Sequence, residues 1–224
     1  NLGSFTITGP TIPAAIKWLI NTVMMAAVSM VITCITSAMA GYVLAKKRFY
    51  GKTLLFSLIV CAMALPKQVV LIPLVRLMSD MDLYDNIWAV ILPGISVYDM
   101  IIMRTNYVNL PEELKEAAYI DGAGYTRTML QVIFPMAKPS IITVILFNFL
   151  SFWNEYIIIK TLVTDKEMWT LPAGLLNLMQ AQQSAAEYGP MYAGLVLVML
   201  PVLILYICVQ KNLTKGMTVG GLKG

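Results

Sequence analysis

Histidine is missing from all 224 residues, and charged side chains make up only 12% of them. Without histidine there is no Ser-His-Asp triad, no Cys-His nucleophile and no zinc site of the usual spacing. The three cysteines, Cys34, Cys61 and Cys208, sit inside apolar runs with no near partner. A thiol in such a place serves as a small hydrophobe. A G-x4-G-K-[ST] stretch is also lacking, so no P-loop holds nucleotide here.

What is present is apolar. Hydrophobic residues reach 58% and the mean hydropathy is +0.74, against a soluble norm of about 25% charged residues. No residue is charged from Trp18 to Ala45, nor from Tyr188 to Gln210. Each run exceeds the roughly 20 residues that cross a hydrocarbon core. The chain reads as an all-α, polytopic membrane helix bundle with five visible segments. They cover about 13–45, 53–77, 86–104, 139–161 and 188–210. Pro66 and Pro73 interrupt the second, Pro93-Gly94 the third, and Pro201 the fifth, while Pro139 opens the fourth. Kinks of this kind suit a bundle lining a path better than a simple anchor.

Basic residues give an orientation. Lys46, Lys47, Arg48 and Lys52 follow the first segment. Arg104, Lys115, Arg127 and Lys138 lie between the third and fourth, and Lys211, Lys215 and Lys223 end the chain. Eleven of the sixteen basic residues thus fall on one side, taken as cytoplasmic, while "SDMDLYDN" opposite holds Asp80, Asp82 and Asp85 and no base. That distribution explains the net charge of +4 without a nucleic-acid surface. The start of the chain is expected outside and its end inside. Five spans with an external start would be natural if one more preceded Asn1, so six are expected in the complete protein. The whole of 1–224 reads as one transmembrane domain. Its external helical segment covers about 165–187, with a helix from Pro172 carrying Leu175, Leu176 and Met179 on one face, and its cytoplasmic tail covers 211–224.

Inside the cytoplasmic connection, "LPEELKEAAYIDGAG" (110–124) breaks the apolar pattern. Pro111 suits a first helical turn, Glu112 and Glu113 sit where the positive end of the helix dipole favours them, and Gly122 supplies a left-handed stop. Leu110, Leu114, Ala117 and Ala118 recur at helical spacing, and Asp121 follows on the same side. Small residues on that face let another backbone approach. "YTRTMLQVIF" predicts a second helical piece that stops before Pro135, joined to the first at a Gly-Ala-Gly hinge. By periodicity alone, an amphipathic loop helix lying on the membrane surface fits as well.

Spacing extends this. Glu116-Ala117-Ala118, Gly122 and Pro135, with Val132 and Phe134 as apolar replacements, resemble the EAA loop, EAA-x3-G-x9-I-x-L-P. That loop marks membrane subunits of binding-protein-dependent ATP-binding-cassette importers, and "LPEELKEAAYIDGAG" further resembles the carbohydrate branch with the maltose-type inner permease. "FNFLSFWNEYIIIKTLVTDKEMWTLPAGL" and the tail "QKNLTKGMTVGGLKG" are similar to that branch as well. The resemblance implies a type I importer permease fold with a cytoplasmic coupling helix in a loop of about 109–135. It implies a non-enzymatic transport subunit, acting with a sister permease in a heterodimer, two ATPase copies that bind the ATP and Mg, and an extracellular solute-binding protein. Glu113, Glu116, Ala117, Ala118, Asp121, Gly122 and Pro135 would carry the ATPase coupling.

Ionisable and amide groups inside the spans are candidates for a substrate path, being costly in lipid. They are Lys67, Gln68, Asp99, Asn148, Asn154 and Glu155, with Trp153 as an aromatic surface for stacking. Each could equally bind a neighbouring helix, the sister permease or the binding protein. The tail from Gly216 to Gly224 is open between a disordered basic end and, by resemblance, an arm towards the ATPases. Cargo also stays open: a sugar by resemblance, with another solute such as glycerol phosphate or a polyol, or a secondary transporter, as alternatives.

Overall fold

Between Lys17 and Lys46 the sequence holds neither proline nor a charged residue, so nothing breaks a helix or bars it from lipid. In the computed structural model, which describes residues 14–182 and 188–221, this stretch forms one helix, α1 (Ala14–Lys46, 33 residues). At 1.5 Å per residue it is about 50 Å long, beyond the ~30 Å hydrocarbon core. Among the described residues it is the one unbroken helix long and apolar enough to cross a membrane. The expected first segment is therefore found, whereas the others are broken or differently bounded.

The second segment splits into α2 (Lys52–Met63) and α3 (Leu71–Asp80). Pro66 explains the gap, because the residue before a proline is driven out of the helical region. Pro73 is no interruption, since it occupies the first turn of α3. The third segment divides into α4 (Trp88–Ile91) and α5 (Val97–Asn109) around Pro93-Gly94. Ser96 caps α5, its Oγ accepting from the Tyr98 N–H at 3.2 Å. The helix then runs past the expected end at Arg104 to Asn109.

Next come α6 (Glu112–Ile120), α7 (Tyr125–Thr128), a π-helical turn at Met129–Ile133 and α8 (Phe134–Met136). The predicted stop before Pro135 does not occur. A π turn widens the helix just ahead of the proline, which relieves the clash of its ring with the preceding carbonyls. The real corner follows Met136, with 69° between Tyr125–Met136 and Lys138–Trp153. The fourth segment also differs from expectation: α9 (Lys138–Trp153) ends and α10 (Ile157–Leu162) begins anew. The Leu150 carbonyl takes both the Asn154 N–H at 3.1 Å and Asn154 Nδ2 at 2.7 Å, which closes the last turn of α9. A 3-10 turn at Lys166–Met168 leads into α11 (Leu171–Gln182), which starts one residue before Pro172. Finally α12 (Tyr188–Gly221) passes through Pro201 and carries the backbone helix through most of the tail. Residues 222–224, like 183–187 of the external segment, lie outside the described residues.

Two compact units emerge, neither contiguous in sequence. One takes described residues up to Met30, Pro66–Ile95 and Asn148–Gln210; the other takes Val31–Leu65, Ser96–Phe147 and the described residues from Lys211. The core of the second unit gathers Ala38, Tyr42, Met103, Tyr107, Ile133, Ala137 and Val144. The Tyr42 and Tyr107 rings meet edge to face at 5.6 Å. Gly41 lets α1 touch α5, since a Cβ there would lie 2.9 Å from the Arg104 amide nitrogen.

In the first unit, side chains of α1 satisfy a segment with little regular structure. Trp18 Nε1 donates to the Lys166 carbonyl (2.8 Å), and Asn21 Nδ2 donates to those of Glu167 (2.7 Å) and Trp169 (3.1 Å). Thr22 Oγ1 accepts the Leu171 N–H at 2.8 Å, filling a place at the start of α11. Leu175 is buried and Leu176 and Met179 are half-buried, so that helix does lay an apolar face on its unit. Gly174 is where the indole of Trp18 rests, and a Cβ there would overlap the ring. Gly174→Ala is therefore expected to destabilise the protein by about 1–3 kcal/mol through overpacking. Thermal unfolding of the detergent-purified complex measures this, and an unchanged midpoint would contradict the packing described.

Candidate functional site

The charged helix α6 is built as its sequence suggests, with one shift at its start. Pro111 precedes the helix as its cap residue, at φ −58° and ψ 135°, rather than lying in the first turn. Glu112 and Glu113 follow in that turn. At the far end Gly122 has φ +75°, a conformation that L side chains rarely adopt. The Gly122 N–H bonds the Tyr119 carbonyl (3.0 Å) and the Ala123 N–H bonds that of Ala118 (2.9 Å). This pair of bonds is a Schellman stop, which satisfies the last carbonyls of the helix.

Two lysines at the end of α1 hold the loop. Lys46 Nζ donates to the Leu110 carbonyl and pairs with Glu112 Oε1, both at 2.8 Å. Lys47 Nζ stands 4.9 Å from the centre of the Tyr125 ring at the start of α7. Glu112 also meets Lys115 at 3.4 Å, one turn on. Hydrogen bonding to Lys46, more than any other cause, holds the Glu112 carboxyl below its ordinary range. The sequence reading assigned neither residue this role: Lys46 counted as a cytoplasmic charge and Glu112 as a first-turn residue favoured by the helix dipole.

The helix turns one edge inward. Ala118 is buried, whereas Glu113, Leu114, Glu116 and Ala117 are exposed. Of the two alanines expected to form an approach surface, only Ala117 faces outward. Beside it stand two apolar residues that the sequence reading left out, Tyr119 and Ile120, the latter 86% exposed. Pro135 is exposed on the helix beyond the π turn, and Asp121 is the C-terminal cap residue of α6.

The substrate-path candidates separate into three situations. Lys67, Gln68 and Glu155 come together where the α2–α3 gap faces the α9–α10 gap, around a small cavity of about 40 Å³. Lys67 Nζ lies 3.7 Å from Glu155 Oε2 and 3.5 Å from Ser151 Oγ. Glu155 Oε1 accepts the Ile158 N–H at 3.1 Å, so the carboxylate also secures the start of α10. That space suits a water molecule rather than a solute. Trp153 is fully buried: it stacks on Phe149 at 5.2 Å and donates from Nε1 to the Val198 carbonyl at 3.1 Å. Its ring is therefore engaged in packing and offers no stacking surface in this structure. Asp99 and Asn148 are buried too, while Asn154 is exposed and spends its amide on Leu150.

Comparison with known proteins agrees with this architecture. The family model for "Binding-protein-dependent transport system inner membrane component" matches residues 37–219. The arabinooligosaccharides transport system permease protein AraQ of Bacillus subtilis is 32% identical over 93% of this chain and 74% of its own length. The maltodextrin transport system permease protein MdxG of the same organism is 31% identical over 93% and 76%. Among solved structures, a chain of a bacterial ABC transporter involved in importing the acidic polysaccharide alginate superposes with a TM-score of 0.76 at 25% identity, covering 89% of this chain and 75% of that one. The helical fold, the EAA-like loop and these likenesses lead to one conclusion: the chain belongs to the binding-protein-dependent transport system inner membrane component family.

Proposed function

We propose that this chain is a permease subunit of an ATP-driven importer for a sugar or oligosaccharide, and that α6 is the handle through which ATPase subunits move it. The carrying observation is α6 itself: a short, firmly stopped helix with Glu116, Ala117 and Ile120 exposed, set in a chain of the importer family. The relatives named for arabinooligosaccharides and maltodextrin support a carbohydrate cargo. Closing of two ATPase copies on ATP and Mg would draw α6 inward, and a sister permease would complete the path. The family's dependence on a binding protein supports an external partner. The distribution of Lys and Arg supports α6 and the tail as cytoplasmic. The loop around Asp85, whose carboxylate accepts from the Thr164 and Asp165 N–H groups at 2.7 and 3.1 Å, then lies outside. Glycerol phosphate is the weaker alternative, because Lys67, a rare basic group in the spans, already faces Glu155; that pair does not bear on an uncharged polyol.

Glu116→Lys reverses the exposed charge of the handle, and Gly122→Val forces a β-branched residue to φ +75°. Both variants should abolish uptake in the reconstituted complex while ATPase activity persists without stimulation by the binding protein. Coupled transport at the unaltered rate in both would sink the assignment. The Lys46–Glu112 pair supplies a pH test. Because the folded carboxyl titrates lower than the unfolded one, the pair stabilises α6 above the ordinary glutamate range and is lost as pH falls through the depressed value. At neutral pH, Lys46→Met should lower amide-exchange protection over residues 114–118 about two- to fivefold, the scale of a half-exposed ion pair. Equal protection in both proteins would deny Lys46 its anchoring role.

A further inference from the structure

Helix α5 presents different residues towards its own unit and away from it, and its buried set includes the Asp99 carboxylate. Met100, Met103 and Tyr107 are buried on one side. Tyr98, Thr105, Asn106 and Asn109 fall on the other, within a stripe about 100° wide at 3.6 residues per turn. Together with Ser140 in the first turn of α9 and two isoleucines of α5, they line a cavity of about 390 Å³. A volume near 400 Å³ is in the range of small-molecule sites. A membrane helix cannot leave hydroxyl and amide groups facing hydrocarbon cheaply, so this stripe, which runs to the cytoplasmic end of α5, meets a polar path, another protein or cytoplasmic water.

The chemistry of the lining narrows the guest. None of the residues lining the cavity is charged. Arg104, the nearest base along α5, lies off the stripe with its guanidinium 4.0 Å from the centre of the Phe56 ring. Asn106 Oδ1 is buried and takes no hydrogen bond from any described residue. At the upper end Tyr98 is half exposed and is held edge-on against Phe147 at 6.1 Å. An aromatic face followed by a row of amide and hydroxyl groups suits a ring with C–H faces and equatorial hydroxyls, and nothing there neutralises an anion.

We propose that the α5–α9 cavity is a subsite for a neutral oligosaccharide in transit, with Tyr98 packing on one sugar ring and Asn106 and Asn109, about 12 and 16 Å further along α5, binding hydroxyls of the rings that follow. This rests on the carbohydrate-importer reading and deepens it, because it excludes phosphorylated and uronic-acid cargo and places contacts within this subunit. None of these residues coincides with the candidates taken from the sequence.

Cysteine labelling in the assembled transporter tests the proposal across a panel of sugars. Cys34, Cys61 and Cys208 are replaced by serine, and Thr105→Cys, Asn106→Cys and Asn109→Cys are made singly, with exposed Leu54→Cys on α2 as a hydrocarbon-facing control. Each is treated with a membrane-impermeant methanethiosulfonate, with and without maltotriose, arabinotriose, galactotriose or a galacturonic acid trimer. All three cavity positions should react while the control does not, and the neutral trisaccharide that the unmodified complex accumulates should slow labelling at 106 about tenfold, equivalent to a tenfold excess over its dissociation constant. The acidic trimer should not slow it. Unreactive cavity cysteines would mean that another protein fills the face, which overturns the proposal. Labelling that no accumulated sugar slows, or that the acidic trimer slows equally, overturns the subsite while leaving the importer reading intact. An unmodified complex that accumulates none of the neutral sugars contradicts the carbohydrate reading, and the subsite with it.

Discussion

One ammonium group joins three pieces of chain. Lys46, the last residue of α1, reaches both the carbonyl of Leu110, where α5 has just ended, and the carboxylate of Glu112, where α6 begins. Lys Nζ has three donors and no acceptor, so it can serve a backbone oxygen and a carboxylate at once. The neighbouring Lys47 lies over Tyr125, so consecutive residues secure consecutive helices of the loop. Close helix contact makes this reach possible. Gly41 brings α1 against the backbone of α5, and the adjacent Tyr42 meets Tyr107 edge to face. The loop helix is thereby tied through its first turn to the end of α1.

Broken helices pose the opposite problem. Each gap frees backbone groups that lipid cannot satisfy, and this chain answers with side chains. Thr22 and Asn21 on α1 serve the segment before α11, Glu155 accepts from the start of α10, and Ser96 caps α5. The same solution makes the gaps functional candidates, because it concentrates polar groups where the spans are interrupted. Lys67 facing Glu155 across two such gaps is one instance.

Much of this was legible from residues alone. An uncharged run marked α1, and proline, paired glutamates and Gly122 marked α6, because caps and breakers act locally. Rotation about a helix axis is not local. The sequence places Ala117 and Ala118 together, yet they are about 100° apart around the helix, and only packing shows that Ala118 points inward. Trp153 reads the same whether it lines a path or fills a core; the Val198 carbonyl that decides the matter is 45 residues away. Proline signals misled in both directions. Pro135 is accommodated by a π turn, whereas the break at 154–156 has no proline to mark it. The polar stripe of α5 escaped notice because the segment was ended at Arg104, before Asn106 and Asn109 could complete the pattern.

The central claim is that the exposed face of α6 is seated in an ATPase subunit. A photo-reactive benzophenone side chain at Ile120, 86% exposed and outside the Lys46–Glu112 anchor, tests it directly in the membrane-embedded complex. The account predicts an ultraviolet-dependent adduct between this chain and an ATPase subunit, with a yield that changes when ATP is added. Adducts to lipid or to the sister permease alone, with none to the ATPase under either condition, would contradict it.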